Sequence, residues 1–400
     1  MDDPPMLDDT DVPALASLLG REASLILDVA VRPTGTRIID AQVRQVTYRP
    51  GRSVAVEYRA TVVGQGSSPS KESFVAVSGG ELPDSVAVVE ADDFSVGVWR
   101  YPDDPHLPGL RAVADADPAR ALLDSVGAPP GPVRIRRRSY RPGRRGVLEL
   151  VTPRSRVFAK VVRPGRVASL QAIHRAAASN LAIPRSLGWS ADSGIVMLEA
   201  MRGRTVRTLL EKRRAGLPDP GALVSVLDQL PDPPHPDSGG ASSSIGERAT
   251  RHANLLRAIL PRHTALIDRV LDRLRDAPEA EPVAIHGDFH SAQVLVRNGS
   301  VSGIIDVDTL RRGQRAEDLG RFIAHLSALR LGGKLGADAD AYRESLVEHF
   351  RGAVHPSQLA SEVAVSLLGY ASGPFRVLEP GWQGGALRRI ELADDWLQGD

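Results

Sequence analysis

Val283-Ala284-Ile285-His286-Gly287-Asp288-Phe289-His290-Ser291-Ala292-Gln293-Val294-Leu295-Val296 is the densest polar cluster of this chain set in an apolar frame. A second short apolar stretch, Gly303-Ile304-Ile305-Asp306-Val307-Asp308, follows closely, and Asn298-Gly299 between the two predicts a hairpin turn. That hairpin brings Asp288, Gln293 and Asp306 toward one end. Two carboxylates and an amide oxygen are hard donors, suited to a divalent cation held together with phosphate oxygens. A carboxylate left out of the metal set is free to orient a hydroxyl nucleophile. Asp308 is a further candidate ligand, or a structural hydrogen-bond acceptor.

Upstream the chain repeats itself. Tyr48-Arg49-Pro50-Gly51-Arg52 and Tyr140-Arg141-Pro142-Gly143-Arg144 agree in all five positions, and Glu57 and Glu149 follow at the same offset. Proline presets φ and glycine supplies a positive φ, so each pentapeptide reads as a type II turn between two alternating strands. Third strands are expected at 74–77 and 157–162, with Phe74 set against Phe158 and Ala76 against Lys160. Only the second copy carries the lysine. Residues 1–12 read as a loose acidic tail, 99–110 as an irregular segment and 112–126 as a short helix. A helix follows at 167–178 and a buried strand at 194–199. The segment 231–244 is of low complexity and expected to be mobile. Beyond it the pattern is helical: one long core helix over 255–274, then helices near 317–330, 337–351, 357–371 and 385–397.

Composition narrows the function. Fifty basic and 49 acidic residues leave a net charge of +1, which argues against duplex nucleic acid or an anionic membrane as partner. Aromatic content of 4% disfavours a single-strand stacking platform. Cysteine is absent, so disulfides, thiolate metal sites and a cysteine nucleophile are excluded. No stretch approaches a membrane span, the N-terminal residues lack a signal peptide's basic region, and a cytoplasmic location is the expectation. Among the basic residues only Lys71, Lys160, Lys212 and Lys334 are lysines. Lys71, Lys212 and Lys334 read as loop or helix-surface residues, whereas Lys160 lies within an apolar strand.

His286-Gly287-Asp288 with Gln293, then Ile305-Asp306 and Glu317-Asp318-Leu319, resembles the aminoglycoside phosphotransferase and choline kinase-like family. The resemblance implies an α+β, bilobal protein-kinase-like fold with an extra N-terminal β-rich cap and a mainly helical C-lobe. It places the cap at 1–128, the small lobe at 129–203 and the large lobe at 204–400, in an arrangement similar to bacterial maltokinase and glucosamine kinase relatives. Asp288 would orient the acceptor hydroxyl, and His286 would brace that catalytic loop. Gln293 and Asp306, with Asp308 as an additional candidate, would hold Mg²⁺. Lys160 would neutralise phosphate charge of ATP, the turn bearing Arg141, Gly143 and Arg144 would lie over the phosphates, and Glu199 and Met201 would sit at the adenine-binding hinge. The implied partners are a nucleotide and a small-molecule hydroxyl acceptor, a sugar or amino sugar, in a monomer or homodimer. An aminoglycoside acceptor and a nucleotide-binding pseudokinase are the alternatives. Two departures stand out. Gln293 replaces the family's asparagine, and no glutamate lies between Glu149 and Glu199 to pair with Lys160, leaving Gln171 at that place.

Overall fold

The repeated pentapeptides form the same turn twice. In the computed structural model, which describes residues 7–64, 66, 68–234, 243–275, 277–278 and 280–399, Gly51 has φ +67° and Gly143 φ +64°. Arg52 and Arg144 donate their N–H groups to Arg49 O and Arg141 O, each at 3.0 Å. Glycine adopts that conformation without a Cβ clash, so Pro-Gly dictates both turns.

Each turn joins the first two strands of a five-stranded sheet. Helices α1 (Ala14–Leu19) and α2 (Ala23–Val31) lead into β1 (Thr36–Arg49), β2 (Ser53–Gly64), β3 (Ser70–Ser78), β4 (Ala87–Glu90) and β5 (Ser95–Arg100), ordered β1-β2-β3-β5-β4. Helices α3 (Gly109–Ala114) and α4 (Ala116–Ser125) lead into β6 (Arg134–Arg141), β7 (Arg145–Val151) and β8 (Arg156–Val162). After α5 (Val167–Ala177) come β9 (Ser186–Ser190) and β10 (Ile195–Glu199), and the order is β6-β7-β8-β10-β9. The two topologies are the same, except that the second set alone has a helix after its third strand.

The correspondence extends ahead of both sheets. Asp9 accepts hydrogen bonds from Tyr48 Oη at 2.6 Å and Gly51 N at 2.8 Å. Asp104 accepts from Tyr140 Oη and Gly143 N, both at 2.7 Å. One expectation is therefore corrected, since residues 7–12 are no loose tail; the segment 99–110 is irregular between Arg100 and Gly109, as expected, and also holds the anchor of the second turn. The signal was present as Asp-x-x-Val/Leu-Pro-x-Leu at 9–15 and 104–110.

Strand register also shifts the alignment of the third strands by one residue. Lys160 pairs with Val147, whereas Ala55, the counterpart of Val147, pairs with Val77. Val77, not Ala76, is thus the counterpart of Lys160. Side chains alternate along a strand, so the difference decides which face the lysine occupies. Glu57 and Glu149 do correspond. Both are buried, and arginines gather on each: Arg137 on Glu57 at 2.8 Å, Arg138 and Arg156 on Glu149. Val75 and Trp99 share one apolar core with Leu107, Leu110, Leu148 and Val161.

These elements, through Val167 and with Leu187–Leu198 and Pro374–Pro380, form one compact unit. The second unit comprises Ala168–Ser186, Glu199–Gly373 and Gly381–Asp400. In the second unit a three-stranded sheet pairs β11 (Arg204–Thr205) with β13 (Val294–Arg297) and β14 (Ser300–Ile304), and β12 (Val283–Ile285) pairs with β15 (Arg311–Gly313). Around them lie α6 (Val206–Glu211), α7 (Pro220–Asp228), α8 (Ile245–Ile259), α9 (Thr264–Leu274), α10 (Arg315–Leu331), α11 (Asp338–Ala353), α12 (Pro356–Ala371) and α14 (Trp382–Trp396); α13 (Gly373–Arg376), between α12 and α14 in the chain, belongs from Pro374 to the first unit. The expected 255–274 helix is two helices, because Pro261 cannot donate the hydrogen bond that would continue α8. Residues 1–6 and 235–242, part of the acidic and low-complexity stretches, lie outside the described residues. Among the described residues no helix is long and apolar enough to cross a membrane.

Candidate active site

The loop between β12 and β13 is held by its own backbone and by one distant carboxylate. Asp318, fully buried in the first turn of α10, accepts the N–H of His286 at 2.7 Å and of Gly287 at 2.9 Å. Burial pushes its pKa up, against the pull of His286 and of those two amides. Asp318 thereby clamps the loop between β12 and β13 by its backbone. Gly287 has φ +75°, and a Cβ there would lie 2.6 Å from Thr309 O. Glycine is obligatory at that point.

His286 is completely buried. Its Nδ1 accepts from Asp288 N at 3.3 Å, which leaves the proton on Nε2, 3.0 Å from Ile305 O. Both nitrogens are engaged with backbone, which ties the loop to the chain at Ile305. Asp288 itself is one-third exposed, its carboxylate 3.8 Å from His290 Nε2 and 3.8 Å from an Arg321 nitrogen. His290 reaches Gln293 at 3.5 Å, and Gln293 Nε2 donates to Asp306 at 3.4 Å. Ile305 N donates to Gln293 O at 2.9 Å, tying the two strands where these side chains meet. The convergence expected of Asp288, Gln293 and Asp306 is thus completed by His290.

Burial lowers the pKa of His290 to about 4 and that of His325, stacked on it with centroids 4.4 Å apart, to about 2. Both rings are neutral at pH 7 and act as hydrogen-bonding and packing groups.

Asp306 adopts the left-handed conformation, φ +62° and ψ 45°, at a cost of about 1–2 kcal/mol for a non-glycine residue. Such strain concentrates where a side chain must be aimed. Among the described residues no three His, Cys, Asp or Glu side chains form a metal cage. Mg²⁺, however, takes one or two carboxylates and completes its shell with phosphate oxygens and water. The Asp306 carboxylate and the Gln293 amide, turned to present its oxygen, suit that role. Asp308 Oδ1 lies 3.6 Å from His174 Nε2 on α5. One turn earlier on the same helix, Gln171 donates to Ser186 Oγ at 3.1 Å.

Sequence reasoning missed Arg321. Burial lowers its pKa, but facing Tyr370, Asp288, Glu317 and Asp318 outweighs that and raises it, so it is permanently charged. Behind it, Arg248 forms a two-pronged pair with Glu362 at 2.9 and 2.6 Å and also meets Glu317 at 3.2 Å. The Arg248 and Glu362 positions are 114 residues apart, and nothing local in either stretch marks them.

The remaining expected residues divide between the units. In the first unit Lys160 is 4% exposed on β8, flanked by buried Ala159 and Val161. Arg141 ends β6, while Gly143 gives its N–H to Asp104 and its carbonyl accepts Arg163 Nε at 2.7 Å. Partial burial, with Arg49, Arg145 and Arg163 nearby, lowers the pKa of Arg144. In the second unit Glu199 accepts Arg185 Nε at 2.9 Å, and Met201 packs against Gly303, where a Cβ would meet its Cε at 2.3 Å.

A phosphotransferase enzyme family model matches residues 143–351, just over half of the chain, including Lys160, Asp288, Gln293 and Asp306. No curated protein matches the sequence. Similar solved structures include an aminoglycoside phosphotransferase in ternary complex with ADP and hygromycin B, 16% identical, covering 70% of this chain and 97% of its own, with a TM-score of 0.45. A macrolide 2'-phosphotransferase of type I is 18% identical over 69% and 97%, TM-score 0.48. An aminoglycoside-3'-phosphotransferase of type VIII is 22% identical over 65% and 98%, TM-score 0.43.

Proposed function

Because this chain belongs to the phosphotransferase enzyme family, a family of small-molecule kinases with hydroxyl acceptors, we propose that it moves the γ-phosphate of ATP, with Mg²⁺, to a hydroxyl of a sugar or amino sugar. The observation that carries this reading is the contact chain Asp288–His290–Gln293–Asp306 on a loop whose backbone is clamped by Asp318. Phosphoryl transfer leaves a protein mainly positioning and charge neutralisation to supply. Asp288, the partly exposed carboxylate of the loop, orients the acceptor hydroxyl and takes up its proton. Asp306 and Gln293 hold the cation, which when bound neutralises charge on the nucleotide phosphates. In the first unit, Lys160 is the candidate cation for nucleotide phosphate, a compact charge on a flexible stem.

Two features favour a neutral or singly charged acceptor over a polycationic aminoglycoside. Asp394 is buried and occupied by Arg269 at 2.9 Å and Arg273 at 3.2 Å, and Arg321 places a positive charge beside Asp288. One observation favours nucleotide binding without turnover: Gln171, where a glutamate was expected, is engaged with Ser186.

The test is transfer of labelled γ-phosphate across a panel of sugars, amino sugars and aminoglycosides. Activity is expected on a sugar or amino sugar, and Asp288→Ala is expected to lower it by about 10²–10⁴-fold, with comparable loss in Asp306→Ala. Binding of ATP with no transfer to any acceptor would establish the pseudokinase reading, and preference for aminoglycosides would reverse the acceptor assignment.

A further inference from the structure

A cleft of about 430 Å³ lies along the first sheet, its walls including Arg44, Arg59, Lys71, Glu72 and Arg100, with Tyr101 after β5 and Arg137 of β6. Register explains part of this clustering. Arg59 pairs with Ser73, Thr61 with Lys71 and Glu57 with Val75, so Arg59, Lys71 and the buried Glu57 share one face of the sheet. Arg44 is the extra residue of a β-bulge between Val43 and Gln45, a device that re-aims a side chain. Lys71 is thus a strand residue at a concave site, and its sequence assignment to a loop is corrected.

The charges in this cleft do not balance. Glu72 pairs with Arg100, and Glu57 pairs with Arg137 at 2.8 Å. Arg59 and Lys71 make no ion pair or hydrogen bond among the described residues, and Arg44 acts on Glu57 only at longer range than Arg137 does. Arg32 and Arg37, in the same unit, share Asp28, whereas the exposed Arg52 and Arg134 stand unpaired among the described residues; the cleft differs in gathering its excess charge in one concavity. Tyr101 contributes a buried hydroxyl with no hydrogen-bond partner among the described residues, beneath the Arg137 guanidinium 4.8 Å from its ring centroid. The feature does not come from the repeat, since Val151 stands where Arg59 does, each pairing with the corresponding first-strand residue (Arg134 and Gln42).

Five cations against the two carboxylates Glu57 and Glu72, with a buried hydroxyl that lacks a partner, give a concavity of ligand size an excess of positive charge suited to an anion. We propose that this cleft binds a small polyanion of the diphosphate class, about three negative charges matching Arg44, Arg59 and Lys71, at a site separate from the Asp288 loop. Arg44 and Arg59 offer planar forks to adjacent phosphate oxygens, and Lys71 a mobile point charge. The cap would thereby be a ligand-binding module rather than a bare scaffold.

Calorimetric titration of the full chain with inorganic pyrophosphate, in the presence of a metal chelator, is expected to show one saturable site that weakens as NaCl is raised. Arg59→Gln and Lys71→Gln retain most of each side-chain stem, and each is expected to weaken binding about tenfold without changing the melting temperature. Lys160→Ala is expected to retain binding, because the site does not use the nucleotide lysine. Inorganic phosphate, with less charge, is expected to bind at least about tenfold more weakly. Absence of saturable binding, indifference to both substitutions, loss in Lys160→Ala, or equal affinity for inorganic phosphate would each overturn the proposal.

Discussion

The guanidinium of Arg321 stands 3.8 Å from the Asp288 carboxylate, with Glu317 bracing it at 3.5 Å. A fixed positive charge there helps hold the carboxylate in place. Arg321→Met is expected to lower kcat, and Arg321→Lys to restore it in part. Stability should fall by about 1–3 kcal/mol, because buried acceptors lose a charged partner. Urea denaturation and turnover of both variants check this. An unchanged kcat in Arg321→Met would remove Arg321 from the positioning of Asp288.

Two glycines at positive φ make a matched pair. At Gly287 an added Cβ would meet Thr309 O at 2.6 Å, whereas at Gly299 nothing lies within 4 Å. Gly299→Ala carries only the backbone cost, about 1 kcal/mol, while Gly287→Ala should exceed about 2 kcal/mol and displace the catalytic loop. Denaturation midpoints and turnover of the two variants distinguish a local strain from a loss of loop geometry.

Lys160 is buried on β8 opposite Val147. Arginine is longer and planar, and cannot reproduce a point charge on a flexible stem in that space. Lys160→Arg is expected to lower kcat/KM by about tenfold or more, with the nucleotide KM rising. Near-wild-type turnover would show that the lysine is incidental.

His290 and His325 predict a pH dependence of stability. Burial holds the folded pKa of His290 at about 4 and of His325 at about 2, below the unfolded value of about 6.5. The unfolded state therefore binds more protons below pH 6.5, and stability present above that pH is lost as the pH falls toward the folded values. The slope should approach about 1.4 kcal/mol per pH unit for each ring. Unfolding free energies between pH 7 and 4.5 should fall more gently in His325→Phe than in the wild type; identical slopes would show that His325 takes up no proton on unfolding.

Much of the site was legible because its constraints are local. Gly287, Gly143 and Asn298-Gly299 are read from turn chemistry, and Asp288, Gln293 and Asp306 from their spacing along two short strands. His290 and Asp318 were visible as residues but not as partners. Their roles depend on a ring reaching both Asp288 and Gln293, and on two backbone amides 31 and 32 positions away in the chain. Asp9 and Asp104 carried a repeated signal that turn-by-turn reading passed over, since each acts on a turn some 40 residues downstream.

By itself the amino-acid sequence determined the two Pro-Gly turns, the order of the catalytic motifs and the family, all of which rest on backbone geometry and residue chemistry over short spans. The tertiary structure alone decided that Val77 rather than Ala76 answers to Lys160, that Pro261 divides the long helix from its neighbour, and that Arg321 faces Asp288. It also decided that Arg44, Arg59 and Lys71, evenly balanced in the overall composition, share one uncompensated cleft. Strand register and charge proximity are set by pairing between distant segments, and a formal charge of +1 says nothing of where the charges meet.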